Sequence, residues 1–270
     1  MPQIHLAPTL TKLPDCEGRV VVTGSHGGRY CARLAIAARV RAAIFHDAGI
    51  GLDEAGVAAL GLLGERGIAA ASASHLACRI GDTDDMMRRG TISRANAVAA
   101  ACGVEPGLGC AEAAERLRLA PLRIAGPPEA SEARIVLAPE RNGRAIVLID
   151  SASLVDAAAD RGAIIVTGSH GGLVGGDKRM ALRADGYAAA FNDAGIGVDR
   201  AGIGRLAALD ERGIAGITVD CMTARIGEAR STFEGVISAL NERASALGAR
   251  KGQWARDVLE AWALERRAPR

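Results

Sequence analysis

Apolar residues in this chain fall in short unbroken runs, each closed by glycine or a polar residue. "RVVVTG" and "AIIVTG" are β-branched runs ending in glycine, the pattern of fully buried parallel strands. The segment from Arg29 to Arg41 is rich in Ala and Arg at helical spacing. "RAAIF" and "YAAAF" read as second strands, and "IAAASAS" and "IAGITVD" as third strands. Between them, "DEAGVAALGLLGERG" and "DRAGIGRLAALDERG" read as helices closed by glycine. Alternation of strand and helix at this spacing predicts an α/β fold with a parallel sheet covered by helices.

The paired quotations come from two halves of one chain. "VTGSHGG" stands at 22–28 and again, unchanged, at 166–172. "IFHDAGIGLDEAG" at 44–56 is answered by "AFNDAGIGVDRAG" at 190–202, and "ERGIAA" at 65–70 by "ERGIAG" at 211–216. "CRIG" at 78–81 pairs with "ARIG" at 224–227, and "GTISRAN" at 90–96 with "GVISALN" at 235–241. The offset is 144 at the first motif, 146 at the next three and 145 at the last. Drift confined to connecting segments is what an internal duplication leaves. The period is too long for a solenoid. The expectation is therefore two pseudo-symmetric α/β units, 1–120 and 148–270, each a parallel-sheet unit of roughly 100 residues. The linker between them, 121–147, carries Pro127 and Pro128, then Asn142-Gly143 between two apolar runs, a β-hairpin signal that reads as an interdomain strap or an oligomer contact.

Composition narrows the function classes. Among 270 residues the net charge is +2 and aromatics are 3%, which leaves no basic field or stacking platform for nucleic acid. No apolar run approaches the roughly 20 residues of a membrane span. The N-terminal "MPQIHLAPTLTKLPD" lacks the pattern of a signal peptide. Six cysteines without CxxC spacing point to free thiols and a cytoplasmic setting rather than a disulfide frame. The partner expected is a small-molecule substrate, with a homo-oligomer possible and neither nucleic acid nor membrane.

Candidate chemistry sits where the strands end, since open parallel sheets bind ligands beyond their carboxyl ends. In the first loops, Gly24, Gly27, Gly28, Gly168, Gly171 and Gly172 would allow positive-φ backbone and expose amides at a helix start, an anion cradle. Ser25 and Ser169 would touch the anion or act as nucleophile, and His26 and His170 would be acid, base or ligand. A Ser–His pair would form across the halves, since adjacent side chains diverge, and the GxSxG elbow is absent. In the second loops, Asp47 and Asp193 either shape the turn or orient a neighbouring His, and Asp53 and Asp199 read as helix caps. His26, His170, Asp47 and Asp193 together have the ligand types for a divalent metal, although no metal-motif spacing occurs; no cofactor is predicted. The third loops diverge. His46 faces Asn192, Ser74 faces Asp220 and His75 faces Cys221, as an asymmetric substrate on a pseudo-two-fold axis would require. Cys221 with His75 or His26 is a candidate thiolate–imidazole pair or buried filler. Arg79 and Arg225 clamp an anion or pair with Asp82 and Glu228. Lys178 reaches the pocket or is a solvated helix-start lysine.

A strand running into "SHGG", then a helix and a second strand, is loosely similar to the caspase-like cysteine peptidases over about 30 residues per half. The cysteine that this resemblance implies is missing, because Asp47 and Asp193 stand at the end of that strand, so peptidase activity is not carried over. The function expected from the residues is an enzyme for a small anionic or amide-bearing metabolite, foremost a hydrolase working between the two GSHGG loops. The alternatives are a lyase or isomerase of a small carboxylate using the same histidines, and a non-catalytic anion-binding regulatory protein.

Overall fold

In the computed structural model, which describes residues 2–127, 129, 132–138 and 143–265, the apolar runs become the strands of two separate sheets. The first half runs β1 (Ile4–Ala7), β2 (Val20–His26), α1 (Arg29–Ala37), β3 (Ala42–His46), α2 (Ala58–Gly64), β4 (Ala69–Ala73), α3 (Thr83–Arg89), β5 (Ile92–Ala95), α4 (Ala97–Ala100) and α5 (Cys110–Leu117). Its strands lie in sequence order; β1 to β4 are parallel and β5 closes the edge antiparallel to β4. Alternate residues of the buried strands feed two cores. Val21, Ala43, Phe45 and Ala70 pack under α1 and α2, while Val22, Ile44, Ala71 and Ala73 pack against Met86, Ala113 and Leu117 of α3 and α5.

The second half runs β6 (Arg134–Leu137), β7 (Ile146–Ile149), β8 (Ile164–His170), β9 (Ala188–Asn192), α6 (Arg205–Asp210), β10 (Ala215–Val219), α7 (Ala229–Glu234), β11 (Ile237–Leu240), α8 (Glu242–Ala246) and α9 (Ala255–Leu264). Strands β7 to β11 lie in the same order as β1 to β5, and β6 adds an antiparallel edge to β7. The hairpin signal thus marks a real antiparallel pair, although Asn142 lies outside the described residues. The expected boundary needs correcting, because β7 is a sheet strand. Ile146 pairs with Ile164 as Ile4 pairs with Val20, and all four residues of β7 are buried. The edge strands β1, β5 and β11 are too short and too mixed in polarity to stand out as strands in the sequence.

The halves differ most where α1 lies. Its counterpart, the segment 173–187, has no α-helix, only one tight turn at Lys178–Met180. Ala181, Leu182 and Ala184 of that segment fill the core in place of the helix.

Because the strand order never reverses, neither sheet has a switch-point crevice of its own. Instead the carboxyl ends of the two sheets abut. Leu52 N–H donates to Cys221 O and Val198 N–H to His75 O, both at 2.8 Å. Arg225 pairs with Asp53 at 2.7 Å, and Arg79 with Asp199 at 3.5 Å. Each bond is the 146-residue mate of the other in its pair. Ala48, Ile80, Ala194 and Ile226 form a small apolar core between the halves. Gly49 packs directly against Gly195, where a Cβ on either would stand 2.8 Å from the other's Cα.

Both DAGIG turns are left-handed. Ala48, Gly49, Ile50 and Gly51 have φ of 50, 76, 62 and 74°, and Ala194 to Gly197 repeat this within a few degrees. A β-branched residue at positive φ is a genuine outlier, at a cost of about 1–3 kcal/mol. Hydrogen bonds from Ile50 N–H to Asp47 O and from Gly56 N–H to Ile50 O, both 2.8 Å, hold it there.

Candidate functional site

The Gly-Ser-His part of each GSHGG motif is strand, and only its last two glycines lie beyond it. Thr23 to His26 continue β2, and Thr167 to His170 continue β8, with a register shift that brings His26 opposite His46 and His170 opposite Asn192. The extended strands carry their Ser-His pairs toward the junction of the halves. There Ser25, His26, Ser169 and His170 line one cleft of about 90 Å³, with Arg205 and Arg183 on its second-half side. Among the described residues no carboxylate lines it.

The glycines do not form the expected cradle. None of Gly24, Gly27, Gly28, Gly168, Gly171 and Gly172 has positive φ. Gly27 N–H donates to Gly56 O (2.8 Å) and His46 O (3.1 Å), Gly171 N–H to Asn192 O (2.8 Å), and Gly28 N–H to His26 Nδ1 (3.1 Å). What these positions require is close backbone approach. A Cβ on Gly24 would stand 2.7 Å from Gly81 Cα, and one on Gly168 would stand 2.5 Å from Glu228 N. Any anion in the cleft meets side chains.

Those side chains have free donors. Ser25 Oγ accepts Leu10 N–H at 3.1 Å and Ser169 Oγ accepts Ala152 N–H at 2.9 Å, which leaves each hydroxyl proton available. No Ser–His hydrogen bond joins the motifs, within or across the halves, among the described residues. Because His26 Nδ1 accepts an amide proton, the neutral ring carries its proton on Nε2. Burial first, and the nearby His46 second, push the His26 pKa down to about 4. His170 is held well below the usual imidazole range, by burial first and Arg205 next. Its Nδ1 is buried without a hydrogen-bond partner among the described residues.

The aspartates belong elsewhere. Asp47 Oδ1 accepts His75 N–H (2.9 Å), Gly49 N–H (3.2 Å) and the His75 ring at Nδ1 (3.0 Å). Burial raises the Asp47 pKa, but the His75 bonds and neighbouring imidazoles outweigh it, and the carboxyl ends below its usual range. Asp193 makes the same turn bonds, to Gly195 (2.9 Å) and Cys221 (3.0 Å) amides, without an imidazole; burial leaves its pKa raised. Neither aspartate orients His26 or His170, so the expected His–Asp pairing is corrected to Asp47–His75. The turn-shaping alternative holds for both carboxylates.

Two of the three asymmetric pairs prove equivalent in what they do. His46 Nε2 bonds Cys78 O (3.0 Å) and its Nδ1 accepts Ala48 N–H (3.1 Å). Asn192 bonds Ala224 O and Ala194 N–H through its amide, both at 2.9 Å. Ser74 and Asp220 each accept the amide two residues on, from Leu76 (3.2 Å) and Met222 (2.8 Å). His75 and Cys221 share no such bond, and Asp220 adds a charge that Ser74 lacks. His75 and Cys221 line a second groove of about 470 Å³ beside Gly49 and Gly195. There Asp193, Asp220 and Cys221 bring three ligand-type atoms within 4.8 Å of one another, a different set from the one the sequence suggested for a metal. Burial, with Asp193 and Asp220 beside it, pushes the Cys221 thiol up to about 12, so the thiolate is disfavoured.

The remaining cations are engaged. Arg79 pairs with Asp82 and Asp85, both at 3.2 Å, besides Asp199, and Arg225 with Asp53 and Glu228. Lys178 pairs with Glu211 at the surface. Asp53 and Asp199 serve in these cross-half ion pairs, and their own φ of 53 and 55° excludes a capping geometry. Sequence reading missed Arg205. It lies in "GIGRLAALD", where it looks like one more solvated helix arginine, yet it is 4% exposed. The available signal was that Ala59 occupies the matching position of the first half.

No protein-family model, curated protein or solved structure matches this chain. The site's own geometry therefore carries the functional reading.

Proposed function

We propose that the chain is an enzyme acting on a small anionic or amide-bearing metabolite, with hydrolysis as the reaction, in the cleft between the two VTGSHGG strands. The observation that carries this is convergence. Two Ser-His pairs 144 residues apart in sequence line one cleft whose lining, among the described residues, holds no carboxylate. The two imidazoles differ in their bonding, which supports different roles. His26, with its proton on Nε2, would donate to the substrate carbonyl as negative charge develops there. His170, whose Nδ1 lacks a partner, would take the proton of an attacking water through Nε2. The hydroxyls of Ser25 and Ser169 would hold the substrate's polar end. Direct attack by Ser or by Cys221 has less support: no Ser–His bond is formed, and the Cys221 thiol lies in the other groove.

The matched motifs and reciprocal cross-half bonds also support descent of the halves from one duplicated unit. The six free cysteines support a reducing, cytoplasmic setting. The open edge of β6, with Ile135 and Val136 exposed, supports a homo-oligomer.

The test is a metabolite screen of esters, amides and lactams with purified protein, followed by His26→Ala and His170→Ala on any substrate found. Loss of turnover of at least about 100-fold with substrate affinity kept is expected. Turnover unaffected by both substitutions overturns the assignment. Tight binding without turnover of any compound bound would favour the anion-binding regulatory reading instead.

A further inference from the structure

The cleft is nearly symmetric in its hydroxyls and imidazoles, yet one-sided in its charge. Arg205 has no counterpart across the axis. Its Nε donates to Gly172 O (3.0 Å), and its Nη1 to Met180 O (3.1 Å) and Ala181 O (2.5 Å). The guanidinium lies over the Phe191 ring, 4.9 Å from its centre. Among the described residues no carboxylate bonds it, and its Nη2 has no hydrogen bond. A buried cation balanced only by carbonyl dipoles and a ring face lacks its countercharge, a costly state unless something supplies one. The other arginine of the cleft, Arg183, is exposed and turns Nη1 onto Ser153 O at 2.9 Å. The segment that replaces α1 in the second half supplies Val174, Met180 and Leu182 as an apolar wall beside Arg205.

We propose that Arg205 is the seat for the ligand's anionic group, and that the cleft takes a compact monocarboxylate with its carboxylate on the second half and its reacting end on His26. This rests on the cleft's being the working site. The class follows from the donors. With Nε and Nη1 already held by carbonyls, Arg205 keeps Nη2 for the anion, and the Ser169 hydroxyl in the same lining is a second donor; two such donors match the two oxygens of a carboxylate. The size follows from the cleft's small volume, about 90 Å³, which suits a compact ligand rather than an extended one. An anion on Arg205 would also offset the charge that depresses His170, so that binding itself would make this imidazole a stronger base.

The test is titration of the intact protein with propionate, succinate and inorganic phosphate, following the ring Cε1–H resonances of its five histidines by NMR. Propionate should shift the His26 and His170 resonances saturably while leaving His5 in place, and Arg205→Met should weaken its binding at least about tenfold. Because Arg205 also fastens the 172–181 segment, the wild-type shifts stand as a measurement independent of that variant's folding. Non-saturable shifts, unchanged affinity in folded R205M, or binding of phosphate or succinate in preference to propionate would each overturn the proposal. Turnover that depends on His26 and His170 without carboxylate binding would remove the seat and leave the catalytic reading. Saturable propionate binding with no turnover in the screen would do the reverse.

Discussion

Substituting Gly24 by alanine separates two explanations of the repeated glycines. In the cradle explanation the amide is what matters, so a methyl group would leave stability alone and alter anion binding. The structure gives the opposite expectation. The added Cβ would stand 2.7 Å from Gly81 Cα, 2.8 Å from Gly81 C and 2.8 Å from Pro8 O. All three are backbone atoms of segments held by their own hydrogen bonds, so no flexible side chain can swing away. Overpacking of this kind costs about 1–3 kcal/mol, and rigid neighbours place it near the upper figure. An unfolding entropy of about 2.1 cal/mol/K per residue makes 3 kcal/mol worth a fall of about 5 °C in Tm for a chain of this length. Gly61→Ala is the internal control. Nothing lies within 4 Å of where a Cβ on this helical glycine would stand, so alanine should raise Tm by about 2 °C. Differential scanning calorimetry of the wild type and both variants gives the answer. A G24A protein that melts within a degree of wild type would refute the close-approach explanation.

His46→Asn should fold, with a loss of about 1–2 kcal/mol in urea unfolding, because Asn192 already makes the equivalent two bonds in the other half. His46→Leu should lose more, about 2–5 kcal/mol, since it leaves Cys78 O and Ala48 N–H unpaired; equal losses for the two variants would show that the bonds do not matter. Stability should also fall in acid. His26, His46 and His170 have folded pKa values below the unfolded value near 6.5, so the unfolded chain binds more protons as pH falls from about 6.5 through about 4. Each buried imidazole contributes a slope of up to about 1.4 kcal/mol per pH unit there, with His46 and His170 weighing more than the partly exposed His26. Urea midpoints unchanged between pH 7 and pH 5 would contradict this.

The alternation of buried runs and glycine-closed helices made the α/β class, the six central strands and the positions of the repeats readable from the sequence. That two GSHGG motifs would share one space was readable too, because identical residues at the ends of equivalent strands invite a common site. Other features depend on tertiary contact and left no local trace. β1 is a four-residue strand whose role is set by pairing with β2, and β7, legible as a hairpin arm, did not show its parallel pairing with β8. The glycines of the motif look the same whether they bind anions or admit a neighbouring backbone, and only the distances to Gly81 and Glu228 decide. The exchange of His46 for Asn192 looked like diversification for chemistry, yet both side chains offer one donor and one acceptor at similar reach. Arg205 was hidden because burial of a single arginine depends on a missing helix elsewhere in the chain.

Two sheets, each with its own pair of apolar cores, would ordinarily form bodies that melt independently. The reciprocal bonds at Leu52–Cys221 and Val198–His75 join the third strand-end loop of each half to the second of the other. Loosening of one sheet's carboxyl edge therefore strips partners from the opposite sheet as well. Cooperativity is then expected to be a property of the whole chain: two sheets should melt in a single unfolding event, with damage to either edge felt at both.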